Sequence, residues 1–169
     1  MSADLILSKR LLDLAAQLVS GCAKRGIRVG LAESCTGGLI AAAITAIPGS
    51  SAVLAASLVT YANAAKMHFL DVPQAILTEH GAVSTATAQA MVTGLLRFTP
   101  FIDLGLSITG IAGPDGGSAE KPVGLVFFAQ QTRLGESITQ QKLFSGDRHS
   151  IRIQAAEYAL EWIIEENQL

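Results

Sequence analysis

The segment AESCTGG, residues 32–38, joins an apolar run to a stretch of small and aliphatic residues, and Ser34 lies near its centre. One interpretation is that Ser34 or Thr36 caps the helix that follows, as serine and threonine commonly do. The other is that Ser34 is a nucleophile, with the N–H groups of Thr36, Gly37 and Gly38 forming an oxyanion hole. This segment alone leaves both interpretations open.

The two neighbours of Ser34 offer chemistry of their own. Cys35 is a competing nucleophile, although consecutive side chains point in different directions and we expect one of the pair to face a site. Glu33 either holds a polar group of a ligand or is a solvated acid at the end of a strand.

A serine nucleophile needs a base, and Lys66 in the segment YANAAK is the strongest candidate. His68, His80 and His149 are isolated and show no Ser/His/Asp pattern. A free lysine titrates at about 10.4, and an apolar setting lowers that pKa because burial disfavours the charged form. The alanines around Lys66 predict such a setting, and Tyr61 lies in the same locality. The alternative is a surface lysine on an amphipathic helix.

A second glycine-containing loop, TGIAGPDGG at residues 109–117, follows a predicted strand. It matches neither the Walker pattern nor G-x-G-x-x-G. It either lets backbone N–H groups approach a ligand or is a long turn between two strands. Arg148, in the segment SGDR, either binds a phosphate or carboxylate in a bidentate manner or forms a surface pair with Asp147.

The predicted elements indicate how these segments are brought together. An apolar stripe from Leu5 to Cys22 predicts a first helix, which ends at Gly26. Further helices are predicted over 39–47, 62–70, 85–98 (with Ser84 as its N-cap) and from about 147, and strands over 27–32, 52–61, 102–109, 123–132 and 138–144. This order predicts a three-layer α/β/α sandwich with a mixed β-sheet, in which ligands bind where strands end.

Composition excludes several classes of protein. The chain has 169 residues, half of them apolar, and a net charge of 12 − 14 = −2, which excludes disorder and disfavours nucleic-acid binding. Two cysteines, Cys22 and Cys35, make neither a disulfide scaffold nor a four-ligand zinc site. We therefore expect one domain over residues 1–169, no metal or other cofactor, a cytoplasmic location and a homo-oligomer.

No membrane segment is predicted. Residues 34–65 carry no charge, but Gly37, Gly38 and the turn at Pro48 and Gly49 interrupt the stretch well before it could span a bilayer. The first residues alternate charged and apolar groups and lack the continuous apolar core of a signal peptide. The uncharged stretch is predicted to be buried α/β structure.

Six segments in one order resemble a known family. They are AESCTGG, VTYANAAK, HGAVS, SITGIAGPDGG, EKPVG and FSGDR, and together they resemble the CinA C-terminal domain family and its stand-alone nicotinamide-nucleotide amidohydrolases. The resemblance implies hydrolysis of the carboxamide of nicotinamide mononucleotide, giving nicotinate mononucleotide and ammonia. It implies that Ser34 is the nucleophile, Lys66 the general base and Tyr61 the tyrosine beside that pair.

The chemistry of the residues themselves suggests a set of substrate-binding residues. These are Glu33, Thr36, Gly37, Gly38, Thr109, Gly110, Gly113 and Arg148, with Arg148 as the contact to the phosphate. Two other functions stay open at this point. One is a pyridine-nucleotide sensor that uses the same pocket without turnover, and the other is a serine amidase that acts on a different amide.

Overall fold

The computed structural model describes residues 7–169, so Leu5, which the sequence places in the first helix, lies outside the described residues. A five-stranded sheet lies between two layers of helices. In chain order the elements are α1 (Lys9–Arg25), β1 (Val29–Glu33), α2 (Leu39–Thr45), a 3₁₀ turn (Ser50–Ala52), β2 (Leu54–Val59), α3 (Asn63–Leu70), α4 (Gln74–His80), α5 (Thr85–Phe98), β3 (Leu104–Gly110), β4 (Leu125–Thr132), β5 (Ile138–Leu143) and α6 (Arg148–Asn167). The predicted three-layer sandwich with a mixed sheet is confirmed.

The sheet has the order β2-β1-β3-β4-β5 and changes direction partway across. β1 is parallel to both β2 and β3, and Glu33 lies opposite Val59 on one side and Ile108 on the other. β4 and β5 continue the sheet as antiparallel strands. Because three parallel strands end at the same edge, the segments that follow them lie side by side there.

Each face of the sheet is covered by three helices. α1, α2 and α6 pack on one another over one face, and α3 and α4 pack on α5, which lies along β3 and β4, over the other. β1 is buried at every position, as expected for a strand covered on both faces. Within residues 7–169, no helix combines the length and the apolar character that crossing a membrane requires.

Local capping signals set several helix ends. The Ser84 hydroxyl accepts the N–H of Thr87 at 3.1 Å and begins α5, as predicted. Asp147 begins α6 in the same way by accepting the N–H of Ser150 at 2.7 Å. Helix α4 was not predicted, because seven residues carry too short an apolar pattern. It begins directly after Pro73, where a proline is well tolerated because the first helical N–H groups have no partner within the helix.

The contact between α3 and α5 sets the position of Lys66. Gly94 on α5 packs so closely on the end of α3 that a β-carbon added there would lie 1.7 Å from the carbonyl oxygen of Leu70. Leu70 and Lys66 are both buried and lie one helical turn apart on α3. Any outward movement of α3 would therefore move Lys66 away from the edge of the sheet.

We expect the substitution Gly94→Ala to lower the free energy of unfolding by about 2–3 kcal/mol, because the added methyl overlaps backbone that cannot move aside. Helix propensity alone would change stability in the opposite direction by about 1 kcal/mol. Urea denaturation measures the effect. Thr85→Ala, at an exposed position of the same helix, is the control and should change stability by about 0.5 kcal/mol or less. Equal midpoints for both variants would contradict this account of the helix contact.

Candidate active site

Ser34 and Lys66 meet at the edge where β1 and β2 end. Lys66 Nζ lies 3.0 Å from Ser34 Oγ, 2.7 Å from the carbonyl oxygen of Thr60 and 3.3 Å from that of Tyr61. The exposed fraction is 1% for Lys66 and 7% for Ser34. A neutral amine has two N–H groups and one lone pair. In the neutral form of Lys66 the two carbonyl oxygens would accept the N–H groups, which would leave the lone pair for the Ser34 hydroxyl proton.

Burial lowers the pKa of Lys66 from its ordinary value, because the ammonium form loses its hydration. No carboxylate in residues 7–169 forms an ion pair with it. The alternative of a surface lysine is therefore wrong. A buried lysine that contacts a hydroxyl has the environment that a general base requires.

Cys35 lies beside this pair, but its thiol is unsuited to attack. It is buried, and burial raises the pKa of the thiol to about 12. A cysteine acts as a nucleophile through its thiolate, so at neutral pH Cys35 is inert. Of the two neighbouring candidates, the structure favours Ser34.

The carboxylate of Glu33 lies behind the nucleophile and does not face solvent. Its Oε2 accepts the N–H groups of Gly38 at 3.0 Å and Ile40 at 3.3 Å, and its Oε1 accepts the N–H of Ala41 at 3.0 Å. Ser57 Oγ donates a fourth bond to Oε1 at 3.4 Å. Glu33 is fully buried, so the expectation of a solvated acid is wrong, and its oxygens face the protein instead of a ligand.

This carboxylate replaces the serine or threonine cap that the sequence suggested. Gly38 occupies the N-cap position of α2, and no side chain of the N-cap residue closes the helix. Neither Ser34 nor Thr36 is the cap. The Thr36 hydroxyl is buried and has no hydrogen-bond partner in the described part of the chain.

The N–H groups after Ser34 differ in whether they are free to bind a substrate. The N–H of Gly37 donates to the carbonyl oxygen of Ser34 at 3.0 Å, and the N–H of Gly38 is bound by Glu33. Their predicted part in an oxyanion hole is therefore not supported. Within residues 7–169 the N–H groups of Cys35 and Thr36 donate to no oxygen and lie beside the Cys35 thiol, a weak acceptor, which leaves them as the donors at this turn that a substrate oxygen could engage.

Tyr61 and Arg148 connect this edge to the second glycine loop. Arg148 donates one N–H to the Tyr61 hydroxyl and another to the carbonyl oxygen of Gly113, each at 2.8 Å. Tyr61 contacts Lys66 through its backbone carbonyl, and its ring is 57% exposed. The surface pair of Arg148 with Asp147 does not form, because that carboxylate caps α6.

The remaining predicted residues of the second loop shape its backbone. The Thr109 hydroxyl donates to the carbonyl oxygen of Ala82 at 2.7 Å and is buried, so it is not turned toward a ligand. Gly110 lies against β4, where an added β-carbon would stand 2.9 Å from the carbonyl oxygen of Leu125. Gly113 has a positive φ of 77° and presents its carbonyl oxygen to Arg148.

Two residues of the site were not predicted by the sequence analysis. Arg152 lies one turn after Arg148 on α6, and its guanidinium donates to the carbonyl oxygen of Thr36 at 2.8 Å. Their spacing of four residues on a predicted helix was an available signal. Thr60 takes part through its backbone carbonyl, which leaves no sequence signal. No group of three His, Cys, Asp or Glu side chains that could hold a metal ion occurs in residues 7–169.

The arrangement is compatible with a serine nucleophile and a lysine base. The Ser34 hydroxyl has an amine at hydrogen-bond distance, and the two N–H groups that follow it in the chain donate to no oxygen in residues 7–169. A set of this kind can attack a carbonyl carbon and stabilise the charge that develops on its oxygen.

The comparisons with known proteins find one matching family model and several similar proteins. The family model described as CinA C-terminal domain matches residues 11–167. Nicotinamide-nucleotide amidohydrolase PncC of Escherichia coli K12 is 48% identical over 151 residues, which cover 89% of this chain and 91% of that protein. A CinA-like protein of Syntrophotalea carbinolica is 51% identical over 150 residues, or 89% of this chain, but the match spans 36% of that longer relative.

A solved structure is similar over nearly the whole chain. The competence/damage inducible protein CihA from Agrobacterium tumefaciens superimposes with a TM-score of 0.92 at 43% sequence identity. The match covers 96% of this chain and 98% of that one.

The pH dependence of Ser34 reactivity should follow the ionisation of Lys66. Protonated Lys66 has no lone pair, so labelling of Ser34 by a fluorophosphonate is expected to be slow at low pH and to accelerate as the amine loses its proton. Because the pKa is lowered, the rise should occur below the ordinary lysine value of 10.5. Lys66→Met should lose both the rate and the inflection. Lys9→Met, at an exposed lysine, is the control. An unchanged inflection in Lys66→Met would exclude Lys66 as the titrating base.

Proposed function

Since this chain belongs to the CinA C-terminal domain family, we propose that it is a nicotinamide-nucleotide amidohydrolase that converts nicotinamide mononucleotide to nicotinate mononucleotide and ammonia. The observation that carries the proposal is the buried contact between Lys66 Nζ and Ser34 Oγ at 3.0 Å. A relative named for this activity covers most of the chain at close to half identity. The two lines of support are independent, because one is chemical and the other is a sequence comparison.

In the first half of the reaction, Ser34 becomes acylated. Ser34 Oγ attacks the carboxamide carbon while its proton passes to the lone pair of Lys66. The oxygen of the tetrahedral intermediate accepts the N–H groups of Cys35 and Thr36, and one such donor contributes about 3–4 kcal/mol in comparable sites. The C–N bond then breaks, and Lys66 returns the proton to the nitrogen, which leaves as ammonia.

In the second half, water hydrolyses the acyl-enzyme. Lys66, again neutral, takes a proton from the water as its oxygen attacks the acyl carbon. The ester bond to Ser34 breaks, and the proton on Lys66 passes to Ser34 Oγ. The products are the nicotinate carboxyl group and the free serine, so both halves use one base and no metal ion.

The role of Tyr61 in this scheme is to hold the site together. Its carbonyl oxygen accepts an N–H of Lys66, which helps to aim the lone pair at Ser34. Its phenol accepts an N–H of Arg148 and forms no hydrogen bond with Ser34 or Lys66 in residues 7–169. We therefore propose a positioning role for Tyr61 in place of a proton relay.

Two arginines support a substrate that carries a phosphate. Arg148 and Arg152 lie one turn apart on α6, beside the second glycine loop and the nucleophile turn respectively. Neither forms an ion pair with a carboxylate in residues 7–169. Guanidinium groups with free N–H donors bind phosphate strongly, so an anionic nucleotide fits this edge better than a neutral amide.

Ammonia release from nicotinamide mononucleotide by chelator-treated protein tests the reaction. Ser34→Ala and Lys66→Met should each lower the rate by at least about 10³-fold, because both residues act in the same proton transfer. Cys35→Ala should retain most of the activity because its thiol is not ionised. Nucleotide binding without ammonia release by wild type would instead support a sensor, and release from other amides alone would support a different amidase.

The phosphate contact is tested by comparing nicotinamide mononucleotide with nicotinamide riboside, which lacks the phosphate. Arg148→Ala should raise KM for the mononucleotide by about 10–100-fold and change the riboside kinetics little, since a charge-assisted hydrogen bond contributes about 1.5–3 kcal/mol. Arg25→Ala is the matched control, because Arg25 contacts Asn167 at the other end of α6, about 28 Å away. Equal effects on both substrates would place Arg148 away from the phosphate.

A further inference from the structure

We propose that Glu33 is a positioning residue for the nucleophile: its buried carboxylate ties the end of β1 to the first turn of α2 and so fixes the turn that carries Ser34. The inference rests on the proposed function, in which Ser34 is the nucleophile. The sequence suggested that Glu33 binds the substrate, and this inference assigns it a positioning role instead.

Both carboxylate oxygens of Glu33 accept hydrogen bonds. Three backbone N–H groups and the Ser57 hydroxyl donate to its two oxygens. No cation in residues 7–169 lies within ion-pair distance of it. The N-terminal N–H groups of α2 therefore stabilise a charge that would otherwise be costly to bury.

The position of Glu33 in the chain explains why this anchor acts on Ser34. Glu33 immediately precedes the nucleophile, and the N–H of Gly38 that it binds belongs to the last residue of the turn 34–38. The turn is irregular, with Gly37 at φ 61° and Gly38 at φ 89°, and it holds a backbone bond from the Gly37 N–H to the Ser34 carbonyl. A serine cap binds N–H groups two or three positions ahead, whereas Glu33 reaches across the whole turn.

The anchor also determines which N–H groups stay available. Glu33 engages three of them, and two more donate to carbonyl oxygens within the turn. The engaged donors are the N–H groups of Gly37, Gly38, Leu39, Ile40 and Ala41. Cys35 and Thr36 are left to bind the oxyanion. Losing the carboxylate would free three further donors and release one end of the turn, so the reactive geometry would no longer be unique.

Glu33→Gln tests the proposal. Glutamine offers one acceptor oxygen where glutamate offers two, so part of the α2 N–H groups would face an NH₂ group. We expect kcat for nicotinamide mononucleotide to fall about 100-fold, with KM within about threefold of wild type, because a small displacement of the nucleophile affects the chemical step. Labelling of Ser34 by a fluorophosphonate should fall by a similar factor.

The control is Ser8→Ala, which removes a different helix cap. Ser8 begins α1 and accepts the N–H of Leu11 at 3.0 Å. Its loss should lower stability while leaving kcat and labelling unchanged, which separates positioning from general destabilisation. Folded Glu33→Gln protein that labels at the wild-type rate would overturn the proposal. A large rise in KM at unchanged kcat would also overturn it, since Glu33 would then act on the substrate.

A measurement on the wild type keeps the proposal testable if Glu33→Gln does not fold. The fluorophosphonate forms an O–P bond with Ser34 and loses fluoride, while the serine proton passes to Lys66, and a phosphonyl oxygen then takes the oxyanion position. Amide hydrogen exchange should slow about tenfold or more at Cys35 and Thr36. Exchange at Gly38, Ile40 and Ala41 should be slow before labelling. Fast exchange at those three, or protection gained there on labelling, would overturn the proposal.

These readouts separate failure of the inference from failure of the proposed function. Labelling and hydrogen exchange do not involve nicotinamide mononucleotide. If wild type hydrolyses no mononucleotide but Glu33→Gln still loses Ser34 labelling, the substrate is wrong and the positioning role stands. If wild type is active and folded Glu33→Gln matches it in rate and labelling, the positioning role is wrong and the proposed function stands.

Discussion

The site depends on one unfavourable feature, a lysine amine that is buried with no carboxylate partner among the described residues. Lys66 is 1% exposed, and its Nζ contacts two carbonyl oxygens and one hydroxyl. An ammonium ion in such a place loses its hydration without gaining an opposite charge, and this lowers the pKa of Lys66. Burial therefore shifts the lysine toward the neutral form that a general base needs. In the proposed mechanism, this is how a serine is activated without a histidine.

The mixed sheet decides where such a lysine can be placed. Ser34 follows β1, the carbonyls of Thr60 and Tyr61 follow β2, and the second glycine loop follows β3, so three parallel strands bring every component to one edge. The antiparallel strands β4 and β5 widen the sheet away from this edge. Helix α5 then holds α3 at the distance set by the small residue Gly94. The topology of the sheet brings these groups to one edge, and the close packing of α3 on α5 fixes the position of Lys66 there.

Sequence was a good guide where the determining interactions are local. The starts of α5 and α6 followed from Ser84 and Asp147. Lys66 is buried as expected, but Ala62 and Ala64, which were expected to bury it, are themselves exposed. Interactions between residues that are far apart in the chain were harder to predict from the sequence. Glu33 caps a helix across a five-residue turn, which made the serine and threonine caps wrong. The phenol of Tyr61 binds Arg148, far along the chain, and the carbonyl of Thr60 has no side-chain signature.

The turn that carries Ser34 lies between the carboxylate of Glu33 and the guanidinium groups of Arg148 and Arg152. This separation of negative from positive charge suits the anionic substrate of the proposed function. The negative charge of Glu33 is buried and neutralised by the first N–H groups of α2. Arg152 binds the turn through the carbonyl of Thr36, and Arg148 binds the second loop through that of Gly113, so both guanidinium groups keep N–H donors free. A phosphate and a developing oxyanion would both meet positive potential. In the proposed mechanism, the buried carboxylate of Glu33 therefore stabilises the turn that carries Ser34 without repelling an anionic substrate.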